Sequence, residues 1–316
     1  MRDPRLLAAA GRVGVYHLCS RVVDKRFVIK RREKARFMEL ARSGAAFAGV
    51  ELLTWCVMDN HFHLLVRVQP IDAEGLDDEE VLSRLVHLYA ENKCTYLREV
   101  WQRCGDAESR RRFLSPFRKR IGNLSDFMKT LKQRFSQWYN RRKDREGTLW
   151  EGRFRSVLLQ HEEGKEGLGP LVRFVAGYID LNPVRAKMVA RAEDGFWSGF
   201  GAAVGGDDLA RVGLRILWGE RLAARLGGEG LIEQHRRMLA KDEPLGVSAH
   251  EATRSAGRRP QGPGRSERGE NRRDETRLAD LGVVGSLIFG LPPDLLMSRR
   301  CPELSRSRFL GQANAG

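Results

Sequence analysis

No stretch of the 316-residue chain stays apolar for the roughly 18–20 residues that a membrane-spanning helix needs, so no membrane association is expected. Cysteine is scarce: Cys19, Cys56, Cys94, Cys104 and Cys301 are odd in number, scattered and without a CxxC pair. That usage excludes a disulfide framework and a zinc ribbon, and it suits a reducing cytoplasm. The opening residues, MRDPRLLAAAGRVGVYH, run from a short apolar patch into a strand-like segment with no cleavage region, so secretion is not expected. There is no Gly-rich phosphate loop of the Walker type and no GxSxG elbow, which argues against nucleotide hydrolysis and serine-hydrolase chemistry. No internal repeat is present. Acidic charge is in short supply too: 41 Asp and Glu against 56 Lys and Arg leave a formal charge of +15 and a pI near 10.1. A polyanionic partner, most simply nucleic acid, is the plainest reading of that imbalance.

What is present is enough chain for one large or two modest domains, with 41% apolar residues to build a core. Val15 to Val22 (VYHLCSRV) suits a strand. RREKARFMELARSGAA spaces Phe37, Met38, Leu40 and Ala41 as an amphipathic helix that ends near Gly49. Glu51 to Met58 and His61 to Val68 read as two strands joined by the tight-turn pair Asp59-Asn60. Residues 71–122 look like an irregular, partly helical insertion. A further helix carries Phe127, Met128, Leu131, Phe135 and Trp138 at helical intervals, with Ser125 as its expected cap. The end of GTLWEGRFRSVLLQ has strand composition. Gly169 to Leu181 returns to helix, which Asn182-Pro183 should stop or kink. Residues 201–250 read as a helical extension, 251–277 as an Arg/Gly/Pro-rich linker and 278–316 as a tail of unknown role.

The triplet His61-Phe62-His63 carries the most chemical information. On a strand, the two histidines point to one face and Phe62 points to the other, toward a core. Two imidazoles on one sheet face can share a divalent metal; they can equally be chance neighbours on a half-exposed strand. Tyr178 precedes Asn182 by one helical turn, so a phenol and a carboxamide project from the same side. Over the histidine strand, the amide could complete a metal's shell and the phenol could attack a metal-bound phosphate. The alternative is a core ring with its hydroxyl at the rim. Tyr139, beside Trp138 and followed by Arg141 and Arg142, is the rival nucleophile and a candidate for stacking on a base. His87, His161, His235 and His250 show no pattern.

Residues 118–155 hold twelve Lys and Arg against four Asp and Glu, interleaved with Phe135, Trp138, Tyr139, Trp150 and Phe154. That mixture suits a single strand or hairpin, whose phosphates need cations and whose bases need flat surfaces. Arg21, Lys129, Lys132, Arg134, Trp138, Tyr139, Arg141, Arg142, Arg153 and Arg155 are the candidate nucleic-acid contacts. Residues 254–277 add eight arginines against four acids and would contribute affinity without sequence preference.

YHLCSR at Tyr16 to Arg21, CVMDNHFHLLV at Cys56 to Val66, LWEGRFRS at Leu149 to Ser156 and YIDLNPVRAKMV at Tyr178 to Val189, in this order, resemble the REP-associated tyrosine transposases. These are single-tyrosine members of the HUH endonuclease superfamily. The resemblance covers roughly residues 12–200. It implies an α+β, ferredoxin-like catalytic domain over 1–200, with an antiparallel sheet and helices on one face. It further implies His61, His63 and Asn182 as ligands of Mg²⁺ or Mn²⁺, and Tyr178 as the catalytic residue. The implied activity is cleavage and rejoining of single-stranded DNA near hairpins of repetitive palindromes through a 5′-phosphotyrosine, by a monomer or a homodimer in the cytoplasm. A non-catalytic hairpin-binding regulator on the same scaffold is the alternative. A replication initiator or relaxase is a third reading, although a lysine would more typically accompany its tyrosine where this chain has Asn182. Three departures stand out. Asp59 replaces the usual proline before NHxH, the 71–122 insertion is long, and Asp180 fills a variable slot.

Overall fold

A computed structural model describes residues 6–9, 11–159 and 167–242. The linker expected at 251–277, the tail at 278–316, His161 and His250 lie outside the described residues. The order of elements is β1 (Gly14–Arg21), α1 (Arg31–Ala48), β2 (Val50–Val57), β3 (His61–Val68), α2 (Asp78–Arg84), α3 (Glu91–Gln102), α4 (Ala107–Arg118), α5 (Leu124–Lys143), β4 (Arg155–Leu159), α6 (Pro170–Asp180), α7 (Asn182–Arg185), α8 (Gly199–Val204), α9 (Asp208–Trp218) and α10 (Glu220–Asp242). Among the described residues, four strands form one antiparallel sheet in the order β2-β3-β1-β4. With α1 after β1 and α5 before β4, this is the split β-α-β arrangement of ferredoxin-like folds, as expected. Residues 71–122 are more helical than their composition suggests, since they build α2, α3 and α4.

Alternation along β3 sorts the two faces. Phe62 is fully buried, with its ring 4.5 Å from that of Phe37 on α1 and 5.4 Å from that of Trp150. Phe135 of α5 closes the cluster at 5.5 Å from Phe37. Burying each such ring stabilises the fold by roughly 1.5–3 kcal/mol, so this cluster fixes α1 and α5 to one face of the sheet. The opposite face of β2 and β3 is also nearly all buried. It is covered by elements that follow β4, so helices stand on both faces.

One local feature differs from the sequence reading. The cap of α5 is Asn123, whose side chain accepts from the Asp126 amide, and Ser125 falls inside the first turn. Asp59 holds the β2–β3 hairpin against the start of α1 through Lys30 (2.7 Å) and Lys34 (2.8 Å). An acidic turn residue thus does by ion pairing what a proline would do by stiffness.

The edge of β2 is closed by the C-terminal helices. The Val57 amide donates to the Trp197 carbonyl at 3.0 Å. Gly213 lets α9 lie directly on the strand, because a Cβ there would come within 2.3 Å of the Leu53 carbonyl oxygen. Covering an edge in this way removes a template for unwanted strand pairing. No helix among the described residues is long and apolar enough to cross a membrane.

Candidate active site

Strand register assembles one row of side chains across the sheet. Cys56, His63, Cys19 and Arg155 are direct partners on β2, β3, β1 and β4, and Arg21 pairs with His61 one step along. Residues two apart share a face, so His61, His63 and Leu65 of β3 and His17, Cys19 and Arg21 of β1 all look the same way. The rings of His61 and His63 lie 5.0 Å apart, almost perpendicular. Tyr178 of α6 packs edge-on against both His63 (6.0 Å) and His17 (6.4 Å). The structure therefore brings Tyr178 to His63, with Asn182 one turn further on, after the break between α6 and α7 at Leu181.

Hydrogen bonds fix which atoms these side chains present. The Asn60 amide nitrogen donates to the Lys25 carbonyl at 3.2 Å, which turns its Oδ1 toward His61 Nδ1 at 2.6 Å. An amide oxygen can only accept, so His61 carries its proton on Nδ1 and shows a lone pair at Nε2. Asn182 Nδ2 donates to the carbonyls of Tyr178 (2.9 Å) and Ile179 (3.4 Å), so its Oδ1 faces away from the helix. Burial pushes the His61 pKa down to about 4, with the Arg21 charge acting the same way. Burial also takes His63 well below its ordinary value, assisted by the neighbouring His61, His17 and Arg21. Both imidazoles are accordingly neutral, as ligands must be. Imidazole nitrogens and an amide oxygen are donor types that suit a divalent first-row metal or Mg²⁺. Among the described residues no group of three or more His, Cys, Asp or Glu is arranged to hold a metal ion.

The candidate nucleic-acid residues divide in two. Arg21 and Arg155 stand on the histidine face, and their charges, with that of Lys132, all act on the Cys19 thiol, which burial nonetheless raises. Lys132 donates to the Gly152 carbonyl at 2.6 Å and lies over the Trp150 ring. Arg153 is exposed in the turn that leads to β4. The rest sit on α5, which packs behind the sheet. Lys129, Arg141 and Arg142 are exposed there, Trp138 is half-buried and Arg134 donates to the Leu88 carbonyl. Tyr139 is a correction to the sequence reading. Its ring is 7% exposed, packed on Phe135 and covered by Arg145, so it offers no face to a base.

Sequence reasoning missed several residues around the site. Arg185 of α7 places its guanidinium 5.1 Å from the centre of the Tyr178 ring and donates to the Tyr178 carbonyl at 3.2 Å. Asp180, on the far side of α6, is fully buried and accepts from Thr54 Oγ1 (2.6 Å), the Phe200 amide (3.2 Å) and His235 Nε2 (3.0 Å). Trp218 can only donate, and it does so to His235 Nδ1 at 3.3 Å, so His235 turns its other ring nitrogen, Nε2, to Asp180 as donor. One carboxylate thus ties the tyrosine-bearing helix to β2, α8 and α10. His235→Phe keeps the ring volume but removes a donor to a buried charge. It should lower the unfolding free energy by about 2–3 kcal/mol, read as an earlier urea midpoint at an unchanged slope. A loss under about 0.5 kcal/mol would mean that Thr54 and the Phe200 amide satisfy Asp180 without it.

No curated protein is similar enough to the chain to count as a match. Among solved structures, the chain resembles one described as a REP-associated tyrosine transposase bound to a REP hairpin, at 15% identity over 65% of this chain and 86% of that one, with a TM-score of 0.41. At that score the likeness adds nothing to what sheet order and site geometry show. Residues 13–73, which carry β1, α1, β2 and the histidine pair of β3, match the family described as IS200-like transposases, and over that stretch the family resemblance read from the sequence holds.

Proposed function

We propose that the protein is a metal-dependent endonuclease and transposase of single-stranded DNA that cleaves and rejoins strands near hairpins through a 5′-phosphotyrosine. The observation that carries this reading is the packing of the Tyr178 ring, 6.0 Å from His63, over the sheet face that holds both histidines. His61 Nε2, His63 Nε2 and Asn182 Oδ1 would hold Mg²⁺ or Mn²⁺. Bound there, the cation supplies Lewis-acid withdrawal of charge from a non-bridging phosphate oxygen. Tyr178 Oη attacks phosphorus in line and loses its proton to solvent. The new Tyr–O–P bond leaves the phosphate on the 5′ side of the downstream nucleotide, and the broken P–O bond releases a 3′-hydroxyl after protonation. Attack by a 3′-hydroxyl on the phosphotyrosine reverses both changes, so rejoining consumes no high-energy cofactor. The Arg185 guanidinium beside the phenol and the Arg21 and Arg155 charges along the strand row favour an anion at the point of attack.

The test is direct. Incubated with Mg²⁺ and labelled single strands that carry the inverted repeats flanking its own gene, the full chain should yield a protein–DNA adduct that survives denaturing electrophoresis. Hairpin binding without adduct or nick would assign the protein to the non-catalytic regulators instead.

A further inference from the structure

His17 has no role in the chemistry above, yet it touches the site directly. It is buried at 4% exposure on β1, and its Nε2 lies 2.9 Å from His63 Nδ1, with the two rings stacked at 5.2 Å and 23°. Its direct strand partner is Leu65, while His63 pairs with Cys19, so His17 reaches His63 diagonally, as only a large side chain can.

One proton lies between two imidazole nitrogens at this distance, and its owner decides what His63 can do. If His17 donates from Nε2, then His63 accepts at Nδ1 and must carry its own proton on Nε2, where no metal can then bind. If His63 donates from Nδ1, its Nε2 lone pair is open. His61 shows which state such a ligand needs, since Asn60 Oδ1 already holds it as the Nδ1–H form.

We propose that His17 is a positioning residue: it accepts the His63 Nδ1–H at its own Nε2 and so holds the His63 ring in the tautomer and orientation that present Nε2 to a divalent cation. The inference rests on the metal-dependent reading of the site and adds to it a third histidine that does not ligate. The His17 Nε2 lone pair is occupied by the His63 proton, so the same nitrogen cannot also bind metal. Tyr178, edge-on to both rings, closes the site from above. Such partners of metal-bound imidazoles raise ligand basicity and fix ring orientation.

Three full-length proteins decide the matter: wild type, His17→Phe, which keeps a ring but cannot accept, and His17→Gln, whose Oε1 can stand where Nε2 stood. Mn²⁺ is titrated without DNA, and free Mn²⁺ is read by electron paramagnetic resonance. His17→Phe should bind about 10–100-fold more weakly, and His17→Gln should return to within about threefold of wild type. In the metal-free proteins, ¹⁵N chemical shifts of His63 should report the Nδ1–H tautomer in wild type and His17→Gln, and a mixture of tautomers in His17→Phe. Equal Mn²⁺ affinity in His17→Phe and wild type would overturn the proposal. So would a His17→Gln as weak as His17→Phe, which would make the ring itself a ligand or a filler. If wild type binds no Mn²⁺, the metal-dependent reading fails by itself. The tautomer then still decides, since a His63 protonated on Nε2 in wild type is incompatible with His17 as acceptor.

Discussion

Replacing Tyr178 by phenylalanine is expected to abolish the covalent protein–DNA adduct and to lower strand cleavage by at least about 10⁴-fold, as loss of a nucleophile does in other covalent catalysts. The change removes one oxygen and leaves the ring, so its edge-on contacts with His63 and His17 and the Arg185 guanidinium above it survive. Folding and hairpin binding should therefore be unaltered, and a mobility shift on the same oligonucleotide provides the control. The geometry makes the assignment specific. Tyr178 packs on the histidine face, whereas Tyr139 is buried behind the sheet under Arg145, and Tyr16 is buried with its hydroxyl accepting from the Ala8 amide at 2.9 Å. An adduct that persists in Tyr178→Phe and maps to another tyrosine would move the nucleophile elsewhere.

The parts of this site that the sequence reveals are those set by short-range periodicity. A period of two puts His61 and His63 on one face and Phe62 on the other, and a helical turn links Tyr178 to Asn182. The parts it conceals depend on which distant segments meet. His17, at the start of the first strand, could be expected to border the site, but its bond to His63 is set by the antiparallel β1–β3 register, and Asp180 meets His235 across 55 positions because α10 returns to α6. Arg185 reaches back seven positions, past the break between α6 and α7, to the Tyr178 carbonyl. Charge density along the chain likewise does not say which cations the fold consumes. Arg118 is buried, bonded to Asp78 and to the carbonyls of Ala73 and Leu76, and it braces the 71–122 insertion. Lys143 pairs with Glu33 of α1. Arg155, at the end of the same basic segment, and Arg21, both candidates from the sequence, are brought to the histidine face by the sheet. Asn60 had a visible signal in the NHFH motif, but its function as acceptor for His61 requires the hairpin that turns its amide nitrogen toward Lys25.

Changing His61 and His63 together to alanine should remove cleavage and its dependence on Mg²⁺ or Mn²⁺ while DNA binding persists. The two imidazoles supply two of the three proposed donor atoms, and a lone amide oxygen cannot hold a divalent cation at micromolar affinity against water. The cationic side chains proposed to meet DNA phosphates, Arg21 and Arg155 among them, are unchanged in this variant, so affinity for the hairpin should retain its salt dependence. The substitutions differ in structural cost. His61 is half-buried and bonded only to Asn60 among the contacts described, so His61→Ala should be mild. His63 is 8% exposed, and its loss leaves buried His17 without its partner at a cost of about 1–3 kcal/mol. His61→Ala alone is therefore the cleaner probe. It should weaken Mn²⁺ binding and cleavage together, by at least about tenfold each, with little change in the urea midpoint. Cleavage that survives in the double variant, or that continues in wild type under a chelator, would defeat the ligand assignment and leave Tyr178 to act with cationic side chains alone. Of those, Arg185 is in contact with the nucleophile, so Arg185→Ala in the chelated protein would show whether the guanidinium supplies the charge that the cation was proposed to give.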